Sequence, residues 1–259
     1  MAPGFGLLGE HIAYSASPAM MNAAMAALGL PHRYVLFDVP ASGVGGVIGT
    51  LRQAGAGGAN VTTPHKGAVA ALMDELSPDA RRAGAVNCVV PRTGRLVGHN
   101  TDLPALVDEV LGLCPDGPGR AVVLGGGGAA RAVRLAVADA GAHEVVPLTR
   151  ADGTWARMAD ELAVADLVVN ATPVGTGSDE TPVPAALHRP GLAVLDLVYR
   201  PSPTRLVRDA RAAGAPARGG AGMLLGQAVR SLELWLGRPA PIDVMREALV
   251  TSLGVGADV

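Results

Sequence analysis

The sequence predicts a two-lobed α/β fold, and three observations predict it. Short apolar runs alternate with helical stretches, the pattern of chains whose strands lie side by side with helices between them. A Cys-Pro-Asp-Gly-Pro-Gly break at 114–119 interrupts that alternation and divides the chain in two. Just past it, an apolar strand runs into four consecutive glycines and then into an apolar helix. The expected division is a first lobe over 1–101, completed by C-terminal helices within 224–259, and a second lobe over 102–223.

Strands are expected at 5–8, 34–39, 58–61 and 85–90, short apolar β-like runs between the helical stretches. Between them, helices are expected over 18–28 and 43–54. Pro18 follows Ser17 as an N1 proline follows an N-cap serine. A helix from Asp102 to about Leu113 is expected to join the two lobes. In the second lobe, strands are expected at 121–124, 144–148, 166–169 and 193–195.

Composition excludes several functions. A length of 259 residues accommodates one large or two small domains with a sizeable core. A formal net charge of −2 offers no electrostatic case for nucleic acid or a membrane surface. No apolar run reaches the roughly 18 residues of a membrane span, and the N-terminus lacks a signal-peptide pattern. Cys88 and Cys114 are too few for a disulfide framework or a zinc site. A cytoplasmic chain with inert thiols and no metal is expected, as a monomer or homodimer.

Of the chain's 21 Lys and Arg residues, only Lys66 is a lysine. Guanidinium stays protonated, whereas an ammonium can be tuned toward neutrality, so a proton-transferring position cannot be filled by arginine. Lys66 ends the run Asn60-Val61-Thr62-Thr63-Pro64-His65-Lys66. It reads either as a general acid/base or as one solvated lysine in an arginine-rich surface.

Gly125, Gly127 and Ala130 fit the G-x-G-x-x-A dinucleotide fingerprint, with the required strand before and helix after. Small residues let a pyrophosphate approach the helix N-terminus, where free N–H groups and the dipole favour an anion. The strand at 144–148 ends in Thr149-Arg150, and arginine there suits the 2′-phosphate of NADP rather than the ribose hydroxyl of NAD. Asp152, two residues on, leaves NAD use open. The segments from Asn170 and from Asp196 follow further strand ends, where ligands sit in open parallel sheets. Asn170 and Thr172 read equally as turn residues.

Taken together in order, these residues resemble the shikimate dehydrogenase family over essentially the whole chain. The motifs are Ser15-Ala16-Ser17-Pro18 with Asn22, the run from Asn60 to Lys66, Ala85-Val86-Asn87, and Gly98-His99-Asn100-Thr101-Asp102. The glycine loop at 125–131, Asn170-Ala171-Thr172-Pro173, the segment 196–204 and Gly222-Met223-Leu224-Leu225-Gly226-Gln227-Ala228 complete the series. The resemblance implies an N-terminal α/β substrate-binding lobe and a Rossmann-like dinucleotide-binding lobe. It implies reversible NADPH-linked reduction of 3-dehydroshikimate to shikimate, a step of aromatic amino acid biosynthesis.

Lys66 and Asp102 are the implied catalytic pair. Ser15, Ser17, Thr62, Asn87, Tyr199 and Gln227 are the implied holders of a carboxylated cyclohexene or cyclohexane ring. Gly125, Gly126, Gly127, Gly128, Ala129, Ala130, Thr149, Arg150, Asn170, Thr172, Pro173, Val198, Gly220 and Met223 are the implied cofactor contacts. Without the resemblance, Ser17 reads as a helix cap, Asn87 as a turn residue and Gln227 as an ordinary helix position.

The neighbourhood departs from the family pattern in places. Relatives commonly have Pro and His where this chain has His11 and Tyr14, and His where it has Met21. After the cofactor strand the common Asn-Arg-Thr is Thr149-Arg150-Ala151, and a second basic residue is missing, with Arg157 the nearest. Such drift also suits a paralogue acting on quinate or an amino-shikimate relative. Ser17, often threonine in quinate-active relatives, favours shikimate. A non-catalytic nucleotide-binding regulator is the remaining alternative, against which the Lys66 and Asp102 pair argues.

Overall fold

In the computed structural model, which describes residues 4–53 and 56–254, all five residues of β1 (Phe5–Gly9) are buried. Along the chain follow α1 (Ser17–Ala27), β2 (Tyr34–Asp38), α2 (Val44–Leu51), β3 (Gly58–Val61), α3 (Lys66–Ala70), β4 (Glu75–Leu76), α4 (Pro78–Ala83), β5 (Cys88–Arg92) and β6 (Arg95–His99). Then come α5 (Asp102–Leu113), β7 (Arg120–Leu124), α6 (Gly128–Asp139), β8 (Glu144–Leu148), α7 (Met158–Val164), β9 (Leu167–Asn170) and β10 (Ala193–Asp196). The chain closes with α8 (Arg205–Ala212), β11 (Ala217–Arg218), α9 (Ala221–Leu236) and α10 (Ile242–Leu253). These elements form two compact units. One holds the described residues up to Asp102 together with Leu225–Ser252, and the other holds Leu103–Leu224 with the last described residues. Residues 255–259 of the expected C-terminal segment, and Ala54 at the expected end of the second helix, lie outside the described residues.

The first unit carries a six-stranded sheet in the order β2-β1-β3-β5-β6-β4. Strand β1 pairs parallel with β2 and β3, but β5 runs antiparallel to both β3 and β6. The sheet is therefore mixed, not the simple parallel alternation read from the sequence. A two-residue turn makes the β5–β6 hairpin: Thr93 and Gly94 both take positive φ, 49° and 80°, the combination that joins twisted antiparallel strands. The apolar residues Leu8, Ala59, Val61, Val89 and Leu96 of this sheet pack with Val44, Ile48 and Leu51 of α2.

Several element ends differ from expectation. The strand expected from Ala85 begins at Cys88, because the Val86 N–H donates instead to Lys66 O at 3.0 Å. The helix expected from Gly43 opens with a 3₁₀ turn over Ala41–Gly43 and ends by Leu51 after a glycine-rich course of low helix propensity. Ser17 is not the cap of α1. Ala16 is, in helical geometry and without a side-chain bond, and Ser17 N–H donates to Ser15 Oγ at 3.2 Å. The upstream hydroxyl thus takes the local capping work and leaves that of Ser17 to another use.

The second unit has a five-stranded, all-parallel sheet in the order β11-β10-β9-β7-β8. Its strands alternate between two cores with period two. Val122, Leu124, Val146, Leu148, Val168 and Val194 face α7 and α8 through Met158, Leu162, Leu206 and Val207. Ala121, Val123, Leu167, Val169, Ala193 and Leu195 face α5 and α6 through Leu103, Leu106, Val110, Val133 and Val137. Burial on both faces explains why β7, β9 and β10 read as nearly unbroken apolar runs. Each fully buried Val or Leu contributes about 1.5–3 kcal/mol.

Candidate active site

Lys66 is the first residue of α3, and its neighbour His65 is almost wholly buried, with Nε2 2.8 Å from Val39 O. The Lys66 Nζ donates to Asp102 Oδ2 at 2.6 Å. Asp102 opens α5, where unpaired N–H groups and the helix dipole favour a negative charge. Its other oxygen, Oδ1, accepts from Asn87 Nδ2 at 2.7 Å. Asn87 Nδ2 also donates to Thr101 Oγ1 at 2.9 Å, and Asn87 Oδ1 accepts the Thr101 N–H at 2.7 Å. Both Asn87 N–H groups are thereby committed, leaving only a carbonyl lone pair to offer a ligand. Asp102 and Asn87 are buried, while Lys66 keeps 31% of its side chain exposed.

Ser15, Ser17, Thr62 and Gln227 belong to the same unit as this pair. Ser17 and Gln227 are buried and Ser15 and Thr62 half-buried. The loop before Ser15 is pinned by Asp38, whose carboxylate accepts the His11 and Ile12 N–H groups at 2.8 and 3.2 Å. Tyr199 lies in the other unit, half-buried three residues beyond β10.

In the second unit the glycine turn behaves as the fingerprint requires. Gly125 has φ 118°, and a Cβ there would sit 3.1 Å from Ala171 O. At Gly127 and Gly128 a Cβ would meet nothing within 4 Å, so the space over them is open. Ala130 is fully buried against the sheet, where a larger residue would push α6 away. The open space at the head of a twelve-residue helix, with its first N–H groups free of intrahelical acceptors, fits a pyrophosphate. Gly126, Gly128 and Ala129 are exposed around it.

At the end of β8, Thr149 is half-buried and Arg150 exposed, its guanidinium 4.9 Å from the Trp155 ring centroid. Arg157, the nearest further basic residue, is paired with Glu161. Asp152 is turned onto Thr154, accepting from its hydroxyl at 2.7 Å and its N–H at 3.0 Å. The Thr154 bonds hold the Asp152 carboxyl down to about 2.

Asn170 is fully buried. Its amide donates to Asp196 Oδ1 and Val174 O, and its carbonyl accepts from the Thr172 N–H and hydroxyl. The Asn170 side chain is spent on its own loop and on Asp196 at the end of β10, and this shapes Thr172 and Pro173. Asp196 accepts from Asn170, Val198 N–H and Thr204 Oγ1, and burial raises its pKa. Val198 and Gly220 are buried and Met223 half-buried.

Gly220 has a packing reason for being glycine, since a Cβ would fall 2.2 Å from Leu197 O. Gly220→Ala is expected to cost about 1–3 kcal/mol of stability, seen as a lowered melting temperature. Gly45→Ala, in α2 with open space around it, is the control and should stabilise by about 0.5–1 kcal/mol. Equal melting temperatures for the two variants would remove the close-approach argument. Sequence reasoning missed the Trp155 platform and the tie between Asp152 and Thr154; an Arg and a Trp five positions apart across a turn was the only signal.

A glycine turn on a doubly covered parallel sheet, in a chain whose other unit presents a lysine–carboxylate pair, is the construction of a two-domain α/β dehydrogenase. Residues 7–89 match the model of the shikimate dehydrogenase substrate binding domain, and 220–250 that of the shikimate 5′-dehydrogenase C-terminal domain. The chain is 42% identical to the NADP(+) shikimate dehydrogenase of Methanopyrus kandleri, over 96% of its own length and 95% of that protein. It is 38% identical to the shikimate 5-dehydrogenase of Thermus thermophilus solved with NADP(H) and shikimate, covering 97% of this chain and all of that one, with TM-score 0.85. A quinate dehydrogenase of Corynebacterium glutamicum solved with NAD has the same TM-score, 0.85, at 30% identity, covering 96% of this chain and 99% of that one. The chain belongs to the shikimate dehydrogenase family.

Proposed function

We propose that this chain catalyses the reversible NADPH-linked reduction of 3-dehydroshikimate to shikimate. The observation that carries the reading is the 2.6 Å contact between Lys66 Nζ and Asp102 Oδ2, in a chain so similar to a protein solved with NADP(H) and shikimate. The coenzyme, when bound, supplies hydride transfer to and from the ring carbonyl carbon. Reduction leaves a negative charge on the carbonyl oxygen, and Lys66 gives that oxygen a proton. In the reverse direction the neutral Lys66 amine takes the proton from the ring hydroxyl. Asp102 holds Lys66 in place and stabilises its charged form. Asn87 accepts from a ring hydroxyl through its one spare lone pair.

Ser15 and Ser17 hold the ring carboxylate, with Thr62, Tyr199 and Gln227 on the remaining hydroxyls. The pyrophosphate lies on the turn from Gly125 to Ala130, and Thr149 and Arg150 take the adenosine end. Asn170, Thr172, Pro173, Val198, Gly220 and Met223 line the nicotinamide end, Asn170 by shaping its loop. The unit ending at Asp102, with 225–252, is then the substrate domain, and 103–224 the NADP domain. A cytoplasmic monomer or homodimer accords with this role.

The reading is tested by assaying the native chain with 3-dehydroshikimate and 3-dehydroquinate, each with NADPH and NADH. Preference for 3-dehydroshikimate with NADPH is expected. Preference for 3-dehydroquinate would favour the quinate paralogue, a reading supported by the likeness to a quinate dehydrogenase. Absence of turnover with either acid would defeat both.

Ser15→Ala and Ser17→Ala should each raise KM for the acid and leave kcat nearly unchanged. Each removes a hydrogen bond to a charged group, about 1.5–3 kcal/mol, or roughly ten- to a hundredfold. If the native enzyme turned over the methyl ester as well as the free acid, the carboxylate assignment would fall.

A further inference from the structure

Behind Asp102 lies a polar cluster that the proton transfer itself does not use. Tyr34, Asn60, Thr101 and Ser231 are all nearly or fully enclosed, with Ser231 at 0% exposure. We propose that Ser231 is a positioning residue for the Lys66 and Asp102 pair, acting through Thr101 and Asn87; this rests on the acid–base reading above.

The bond directions in the cluster are determined. The Thr101 N–H fixes which side of the Asn87 amide is the carbonyl, so Nδ2 must face Asp102 and the Thr101 hydroxyl. Having accepted from Asn87, that hydroxyl has a proton to give. Two acceptors are in reach, Ser231 Oγ at 3.1 Å and Asn87 Oδ1 at 3.2 Å. Ser231 donates its own proton to Gln227 O at 2.9 Å, so toward Thr101 it accepts.

Asn60 Nδ2 also donates to Ser231 Oγ, at 2.8 Å, and to Asn87 O at 3.1 Å. Tyr34 donates to Asn60 Oδ1 at 2.9 Å, and burial lifts its phenol well above the usual range, so it remains a donor. Asn60 and Thr101 therefore converge on one serine oxygen, and the Cys88 thiol, which burial pushes up to about 12, lies within hydrogen-bond reach of the same hydroxyl.

Removing that oxygen sends the Thr101 proton to Asn87 Oδ1. There it occupies the lone pair left for a ring hydroxyl and pulls the amide off Asp102. A buried Asn60 N–H also loses one of its acceptors. Ser231 reaches the pair from α9, more than a hundred residues away in sequence, so no local motif announces it.

Ser231→Ala is expected to lower kcat for 3-dehydroshikimate about tenfold, the size of one lost buried hydrogen bond, and to raise the acid's KM a few-fold. The NADPH KM should hold, and the melting temperature should fall only modestly, because alanine's helix propensity offsets part of the buried bonds lost. Thr101→Val should lose as much as Ser231→Ala, and Thr101→Ser should recover most of it. In an Asp102→Asn background, Ser231→Ala should cost nothing more, since the serine acts through that carboxylate. Unchanged kcat in Ser231→Ala, a fully additive loss, or equal behaviour of Thr101→Val and Thr101→Ser would each overturn the proposal. A crystal structure of Ser231→Ala tests it without turnover: the Asn87 amide should be turned from Asp102, and an unmoved amide would overturn the assignment. Native turnover of 3-dehydroshikimate separately judges the reaction itself.

Discussion

Lys66→Ala is expected to lower kcat by roughly 10²–10⁴-fold, the usual contribution of a positioned general acid. NADPH binding, followed by coenzyme fluorescence, should change little, because Lys66 belongs to one unit and the glycine turn to the other. Asp102→Asn should fall by a similar order, and the double variant should be little worse than either single one, since the two side chains act as a unit. Lys66→Arg is the sharper variant. It keeps a cation opposite Asp102 but not a transferable proton, so it should be as inactive as the alanine variant. Near-native turnover in Lys66→Arg would reduce Lys66 to an electrostatic partner.

The second large effect concerns the coenzyme. Arg150→Ala should lose about ten- to a hundredfold in kcat/KM with NADP, the worth of charge-assisted bonds to a phosphate. With NAD it should change little. Arg157 is engaged with Glu161, so it offers no second clamp, and discrimination against NAD should be shallower than with two basic residues. Asp152 places a carboxylate two residues beyond Arg150, and Asp152→Asn should raise the NADP preference. With its carboxyl held at about 2, Asp152 stays ionised above about pH 5, so a fall of the NADP preference on acidification toward that value should follow the 2′-phosphate, whose second proton leaves at about pH 6. A native preference for NAD, or an unaltered ratio in Arg150→Ala, would mean that the end of β8 reads something other than a 2′-phosphate.

The second unit was the more legible in sequence, for a physical reason. Strands such as β7 and β9 lie in a sheet covered on both faces, and their apolar runs stand out against the glycine turn and the Asn170 loop. The β5–β6 hairpin was missed. Its turn signal is only Thr93-Gly94, and Arg92 and Arg95 at its mouth make the region read as a loop. Ser17 was misread as a cap because serine before proline is the ordinary sign of one. Nothing in the sequence says that the Ser15 hydroxyl, two residues earlier, takes the Ser17 N–H.

At the site, the lone lysine pointed to proton transfer from residue type alone, whereas Asp102 as its partner came only with the family resemblance. Asn170 was balanced between cofactor contact and turn residue. Its amide proves engaged with its own loop and with the end of β10, which only the three-dimensional positions of Thr172, Val174 and Asp196 could tell. Ser231 gave no sign, being one hydroxyl in the middle of a long helix far along the chain from Lys66 and Asp102.

The first unit is assembled from two stretches, with the whole of Leu103–Leu224 between them. During synthesis, the parallel sheet and its glycine turn are therefore complete in the nascent chain before Leu225–Ser252 has been made. Until α9 arrives, Asn60 and Thr101 lack the serine oxygen on which both converge. The unit that carries Lys66 and Asp102 thus gains its closing helices only after the glycine turn and its sheet have been synthesised.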